Sequence, residues 1–153
     1  MAEILIREPN DKEFEQVKKH VEEFWLDNGN MVKNQFRILL FNNRLAAFGR
    51  LRENDDAIEL CTLGVIKRYQ KRGIGIAIVR ALLSSVEKDV YLVTVIPKFF
   101  LKLGFNAVKQ YPKSLQKKRD LCVSQYHVGE SYEVMKWSKN QTEDLSVEIE
   151  MNY

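Results

Sequence analysis

Cysteine, proline and charge of a single sign are all scarce in this chain. Two cysteines, Cys61 and Cys122, stand among 153 residues. They lie too far apart to supply the paired ligands of a zinc site, and are too few for a disulfide scaffold. They read instead as two buried thiols from a reducing compartment, with a lone disulfide as the alternative. Three prolines and seven glycines leave no room for a proline-rich spacer or a glycine-rich linker. No apolar run approaches the ~20 residues of a membrane span. Lysine and arginine number 24 against 21 aspartates and glutamates, so the net charge of +3 argues against a nucleic-acid partner. The opening residues, MAEILIREPNDKEF, turn charged too soon for a secretory leader. The expectations are a cytoplasmic protein with no metal, no nucleic acid and no membrane as partner.

What is present fits a globular domain. The hydrophobic fraction of 45% and the charged fraction of 29% suit a chain with a real core. One domain is expected over residues 1–137, followed by a polar and acidic tail, 138–153. Residues 4–7 read as a first strand. Asn10 and Glu13 have the spacing of a capping box. Phe14, Val17, Val21 and Phe24 then recur at helical spacing, predicting a helix over 11–25. Trp25 is expected to pack under the loop that follows, and His20 to lie on the helix surface. Two apolar runs, 35–42 and 45–53, are joined by a tight turn at Asn42-Asn43-Arg44 and predict a hairpin. A strand at 57–66, apolar on both faces, is expected to be central. Further elements are a buried helix at 73–87, a strand at 90–95, a short helix from Pro97 to Leu103 ended by Gly104, a strand at 106–111, a basic helix near 114–121 and a strand at 132–137.

The segment at 63–79, LGVIKRYQKRGIGIAIV, is the most informative. A central strand runs into a loop with Lys67, Arg68, Lys71 and Arg72, and then into a helix that opens Gly73-Ile74-Gly75. A helix N-terminus leaves N–H groups unpaired and carries partial positive charge. Glycine lets such a backbone approach a phosphate closely. The assembly suits a pyrophosphate, although a tight strand-to-helix turn with solvated charges is the plainer reading. A P-loop is excluded because no Gly-Lys-Ser/Thr follows, and a dinucleotide fingerprint because Ile78 stands where a third small residue belongs.

Gln70-Lys71-Arg72-Gly73-Ile74-Gly75 resembles the acyl-coenzyme A signature of the GNAT acetyltransferases. Leu63-Gly64-Val65 is similar to their strand end, and Phe99-Phe100-Leu101-Lys102-Leu103-Gly104-Phe105 to a later family segment. The resemblance covers roughly residues 3–137. It implies an α/β (α+β) fold, a twisted mixed sheet of about seven strands flanked by four to five helices and splayed between the fourth and fifth strands. It implies acetyl-CoA as co-substrate. The pantetheine arm would pair with the backbone of Leu63, Gly64 and Val65, and the pyrophosphate with Gln70, Lys71, Arg72, Gly73, Ile74 and Gly75, with Phe100 also beside the cofactor. The implied reaction is direct attack of an amine on the thioester.

Such a reaction asks for a base, a donor to the oxyanion and a way to protonate the thiolate. Glu59, four residues before Leu63, is where several family members carry a catalytic glutamate. Strict alternation places it on the face of Cys61, Leu63 and Val65, and an apolar face would raise its pKa toward that of a useful base. A solvated or salt-bridged strand-end carboxylate is the alternative. The family's tyrosine acid is replaced by Phe100, which leaves Tyr126, Tyr132 or water for that role. Part of 97–122 is similar to amino-acid N-acetyltransferases of the N-acetylglutamate synthase kind, whereas Glu130 and Glu133 stand where a glutamate acceptor would want cations. Arg50, Arg52 and Thr94 are assigned to the acceptor, the two arginines as a carboxylate clamp. Lys113, Lys117 and Lys118 read as a solvated helix face, and His127 as a loop residue near the acceptor. The expected acceptor is a small metabolite or amino acid. A protein amine, or a non-catalytic acyl-CoA-binding module, is the alternative, and a homodimer is left open.

Overall fold

The computed structural model describes residues 2–126 and 131–139, apart from the side chain of Tyr126. The tail beyond Lys139, His127 and Glu130 lie outside the described residues. The fold is mixed α/β, with seven strands and four α-helices among the described residues: β1 (Ile4–Arg7), α1 (Asp11–Glu23), β2 (Phe36–Phe41), β3 (Arg44–Glu53), β4 (Ile58–Val65), α2 (Ile74–Leu83), β5 (Val90–Thr94), α3 (Pro97–Leu101), β6 (Asn106–Ala107), α4 (Lys113–Tyr126) and β7 (Glu133–Trp137). The chain forms two compact units. One comprises the described residues up to Arg52 with Leu60–Ser85; the other comprises Glu53–Glu59 with the described residues from Val86 onward. The strand β4 contributes its first two residues to the second unit and the rest to the first.

In the first unit the strands run in the order β1-β2-β3-β4. The hairpin between β2 and β3 turns at Asn42 (φ 49°) and Asn43 (φ 65°). Two successive left-handed residues match the right-handed twist of the strands, and asparagine tolerates that conformation. The capping box forms as the sequence predicts. Asn10 accepts from the Glu13 N–H at 2.8 Å, and Glu13 accepts from the Asn10 N–H at 2.9 Å. Val17 and Val21 on α1 pack with Phe36, Ile38, Leu40 and Phe48 in one buried cluster. The sheet's other face meets α2: a Cβ on Gly49, next to Phe48, would lie 3.1 Å from both Leu63 and Leu82. The helix α2 stops at Leu83, short of the expected residue 87. There the Ser84 hydroxyl turns back onto the Ala81 carbonyl at 2.7 Å, a local bond that competes with helix continuation.

In the second unit the order is β4-β5-β7-β6. Parallel pairing joins Ile58 to Val90 and Glu59 to Tyr91, and β5 pairs antiparallel with β7 from Val90–Trp137 to Thr94–Glu133. The strand β6 is two residues long where six were expected; one further bond runs from the Val108 N–H to the Val134 carbonyl, and Pro112 lacks the N–H to resume the ladder. The helix α4 is longer than expected, 14 residues. Leu115 and Cys122, two turns apart, are both buried and hold one face of it down. Its start is tied by the Asp56 carboxylate, which accepts from the Ser114 N–H at 3.0 Å.

Candidate acyl-coenzyme A site

The strand β4 is interrupted at Thr62, whose φ of 55° is left-handed. The Thr62 hydroxyl donates to the Asp27 carbonyl at 2.8 Å and accepts from Arg50 Nε at 2.7 Å, while Cys61 Sγ lies within 4.8 Å of an Asp27 carboxylate oxygen. Two successive side chains thus face the same side, the mark of a bulge. Alternation resumes one step out of phase. Leu63 faces Leu82, and the Cα of Gly64 faces the Phe48 ring, which a Cβ there would approach to 2.5 Å. The expectation that Cys61 shares a face with Leu63 is therefore corrected: the bulge turns Leu63 to the opposite side.

Beyond β4 the chain makes a 3₁₀ turn at Lys67–Tyr69 and then enters α2. Lys71 (φ 65°) and the N-cap Gly73 (φ 76°) are left-handed, and among the described residues nothing but its chain neighbours lies within 4 Å of where a Gly73 Cβ would project. No side chain among the described residues caps this end. The first N–H groups of α2, from Ile74 and Gly75 onward, are therefore left without partners inside the helix. Arg68 and Arg72 lie over the rings of Tyr69 and Phe41, at 5.9 and 5.8 Å, and keep their charge at the loop. Gln70 donates its side-chain amide to the Val65 carbonyl at 3.0 Å. Beside this loop is a cleft of about 410 Å³ lined by Phe24, Leu26, Leu63, Gly64, Val65, Lys67 and Gln70. Its walls are apolar at the end of α1 and polar toward Gln70.

Arg50 and Arg52 do clamp a carboxylate, but that of Asp27. Arg52 reaches both Asp27 oxygens, at 3.2 and 2.8 Å, and Arg50 approaches one at 3.5 Å. Arg50 is fully buried and also binds the carbonyls of Asp27 and Asn30 and the side chain of Gln35. Both arginines are committed to ordering the loop after α1. Asp27 is the residue that sequence reasoning missed; its spacing to Gly29, whose N–H it accepts at 2.9 Å, is the Asx-turn signal that could have found it. Trp25, expected to pack inward, is 78% exposed.

In the second unit Glu59 is 1% exposed. Its carboxylate accepts from Lys118 Nζ at 2.8 Å and from the Asn54 side chain at 3.2 Å. The surroundings expected to be apolar thus supply a cation, so the buried charge is compensated. Lys118, expected on a solvated face, is instead the partner of the candidate base. Thr94 is buried, and its hydroxyl accepts from the Ile96 N–H at 2.9 Å. Phe100 is buried edge-on against Phe99 and Phe105. Tyr132 lines a separate pocket of about 390 Å³ with Tyr111, Arg119 and Glu133, and its carbonyl accepts from Arg119 Nε. Residue 126 ends α4.

Among the described residues no helix is long and apolar enough to cross a membrane. Among solved structures of similar fold is N-acetylglutamate synthase from Neisseria gonorrhoeae, complexed with coenzyme A and N-acetyl-glutamate. It matches at 15% identity with a TM-score of 0.68, over 90% of this chain and 35% of that one, so this chain spans about a third of that protein. Rv2747 from Mycobacterium tuberculosis, in complex with coenzyme A, matches at 18% identity and a TM-score of 0.71 over 88% of this chain and 98% of that one. The ribosomal-protein-S18-alanine N-acetyltransferase of Escherichia coli matches at 17% and 0.62, over 88% and 93%. The sequence model of the acetyltransferase (GNAT) family matches residues 2–105, and with the strand, loop and glycine-opened helix arranged as described, the chain belongs to the acetyltransferase (GNAT) family.

Proposed function

We propose that the protein transfers an acetyl group from acetyl-coenzyme A to the primary amine of a small metabolite or amino acid. The uncapped, glycine-opened start of α2 beside the cleft at Leu63–Val65 carries this reading. In it, the N–H groups of 70–75 hold the pyrophosphate, with Lys71 and Arg72 adding charge. The pantetheine amides pair with the backbone of Leu63 and Val65, and the Gln70 amide gives up the Val65 carbonyl to them. Glu59 accepts the amine's proton, directly or through water; the nitrogen attacks the thioester carbon, the C–S bond breaks, and the thiolate is protonated by water or by Tyr132. Phe100 has no proton to give, and serves only as an apolar neighbour.

The small acceptor is supported by the partial likeness of 97–122 to amino-acid acetyltransferases and by the solved N-acetylglutamate synthase among the similar folds. Similarity to the S18-alanine enzyme favours a protein terminus as the second reading. Thiol release from acetyl-CoA, screened over amino acids, polyamines and peptides, separates the two. Calorimetry tests the cofactor site: Gly73→Val should weaken coenzyme A binding at least tenfold, because valine resists φ near 76° and its side chain projects into the open space. Unchanged affinity in a folded variant would sink the assignment.

A further inference from the structure

The helix α4 holds one face down through Leu115 and Cys122. Arg119 falls four residues after the first and three before the second, so it shares that face. A cation thus stands half-buried between two buried side chains. Its Nε donates to the Tyr132 carbonyl at 3.0 Å, which orients the guanidinium. The two terminal nitrogens have no hydrogen bond or ion pair among the described residues. Arg119 and Tyr132 both line the pocket of about 390 Å³, with Lys109, Tyr111, Val108 and Val134. Every residue that lines it belongs to the second unit. Lys109 is exposed and has no ion pair among the described residues. Glu133 also lines the pocket, so two cations stand there against one carboxylate. The volume is that of a small-molecule site, and the wall is part aromatic and part aliphatic.

We infer that this pocket binds a small carboxylate with an apolar or aromatic body, held by Arg119. The uncommitted fork of an arginine matches the two oxygens of a carboxylate, where a lysine offers only a point charge. Anchoring Nε in advance lowers the ordering cost of that contact. Lys109 adds attraction from the rim. Tyr111, Tyr132 and the two valines supply surface that a bare inorganic anion does not use. The site needs no acyl transfer and is independent of the reading of the acyl-coenzyme A site.

The test is calorimetry with 3-phenylpropionate and its uncharged amide, 3-phenylpropionamide. The wild type should bind the acid about tenfold more tightly than the amide, the scale of one charge-assisted hydrogen bond. Arg119→Met should remove that preference. Arg119→Lys, which keeps the charge without the fork, should retain part of it. Tyr111→Ala should weaken acid and amide alike. Coenzyme A affinity should be unchanged in all three variants, and saturating coenzyme A should leave the affinity for the acid as it is. A wild type without preference overturns the inference, and so does an Arg119→Met protein that keeps it. Competition by coenzyme A would place the acid in the acyl site, and displacement by an equal concentration of inorganic phosphate would reduce the pocket to unspecific charge; either result also overturns it. A fall in melting temperature with both affinities unchanged would make Arg119 structural and end the proposal. Where Arg119→Met does not fold, Arg119→Lys and Tyr111→Ala carry the test, and wild-type affinities in both refute the site.

Discussion

Glycine and charge decide the site at the scale of single residues. Gly64 is required by the Phe48 ring, which leaves no volume for a methyl group, whereas Gly73 is required by its φ and by the open space a phosphate would use. The two belong to different segments of the site and resist substitution for different reasons: packing in one, approach in the other. Glu59 and Lys118 form a nearly buried ion pair, the carboxylate 1% and the lysine 14% exposed. As the proposed base, Glu59 changed to Gln should lose ~10²–10⁴ in kcat, with coenzyme binding retained; a stable variant with normal kcat across pH removes that role. Removing the lysine alone leaves a buried carboxylate without its cation. Lys118→Met should cost about 3–5 kcal/mol in urea unfolding, and adding Glu59→Gln should restore much of it. Equal stabilities for the single and double variants would mean the pair is not coupled. Nothing in the local sequence pointed to Lys118. Its neighbours repeat the basic pattern of a wet helix face, and only the tertiary fold selects one lysine of that run.

Elements were legible to the extent that local chemistry defines them. The start of α1 was readable because Asn10 and Glu13 satisfy each other's backbone, and the β2–β3 turn because asparagine tolerates positive φ. The limits of β6 and α4 were not, since they depend on where Val108 finds a partner and on which face Leu115 and Cys122 bury. Thr62 was the costliest miss: threonine has no preference for a left-handed backbone, so no residue type announced the bulge, and alternation counted through it went out of phase. The α1 start also sets a pH dependence. Two Arg7 nitrogens bond the Glu13 oxygens at 2.6 and 2.8 Å and hold its carboxyl below the usual range, helped by the Asn10 N–H and opposed by partial burial. A carboxylate with a depressed folded pKa contributes stability above its unfolded value of ~4.3, which is lost as pH falls through the folded value. Glu13→Gln should therefore lower the urea midpoint at pH 7, and the gap from the wild type should close in strong acid. A gap that is constant with pH would assign the effect to the cap's hydrogen bonds alone.

Across the whole molecule, the family's fold was visible in the sequence because its motifs lie in one order along the chain. The division into two compact units was not, since a strand shared between them looks continuous in sequence. The cysteines set aside at the outset gain a use from that division. Cys61 sits in the first unit and Cys122 in the second, both buried and neither in a disulfide. The protein therefore carries one shielded thiol per unit, a pair of built-in stopwatches. An aromatic disulfide reagent should modify each only when its own surroundings open, and Cys61→Ala and Cys122→Ala assign the two phases. Coenzyme A held at 70–75 should slow the Cys61 phase more than the other, because a ligand protects the conformation it binds. Slowing of the Cys122 phase alone would relocate the cofactor. Labelling would thus time the breathing of each unit at its natural thiol, with no probe added to the chain.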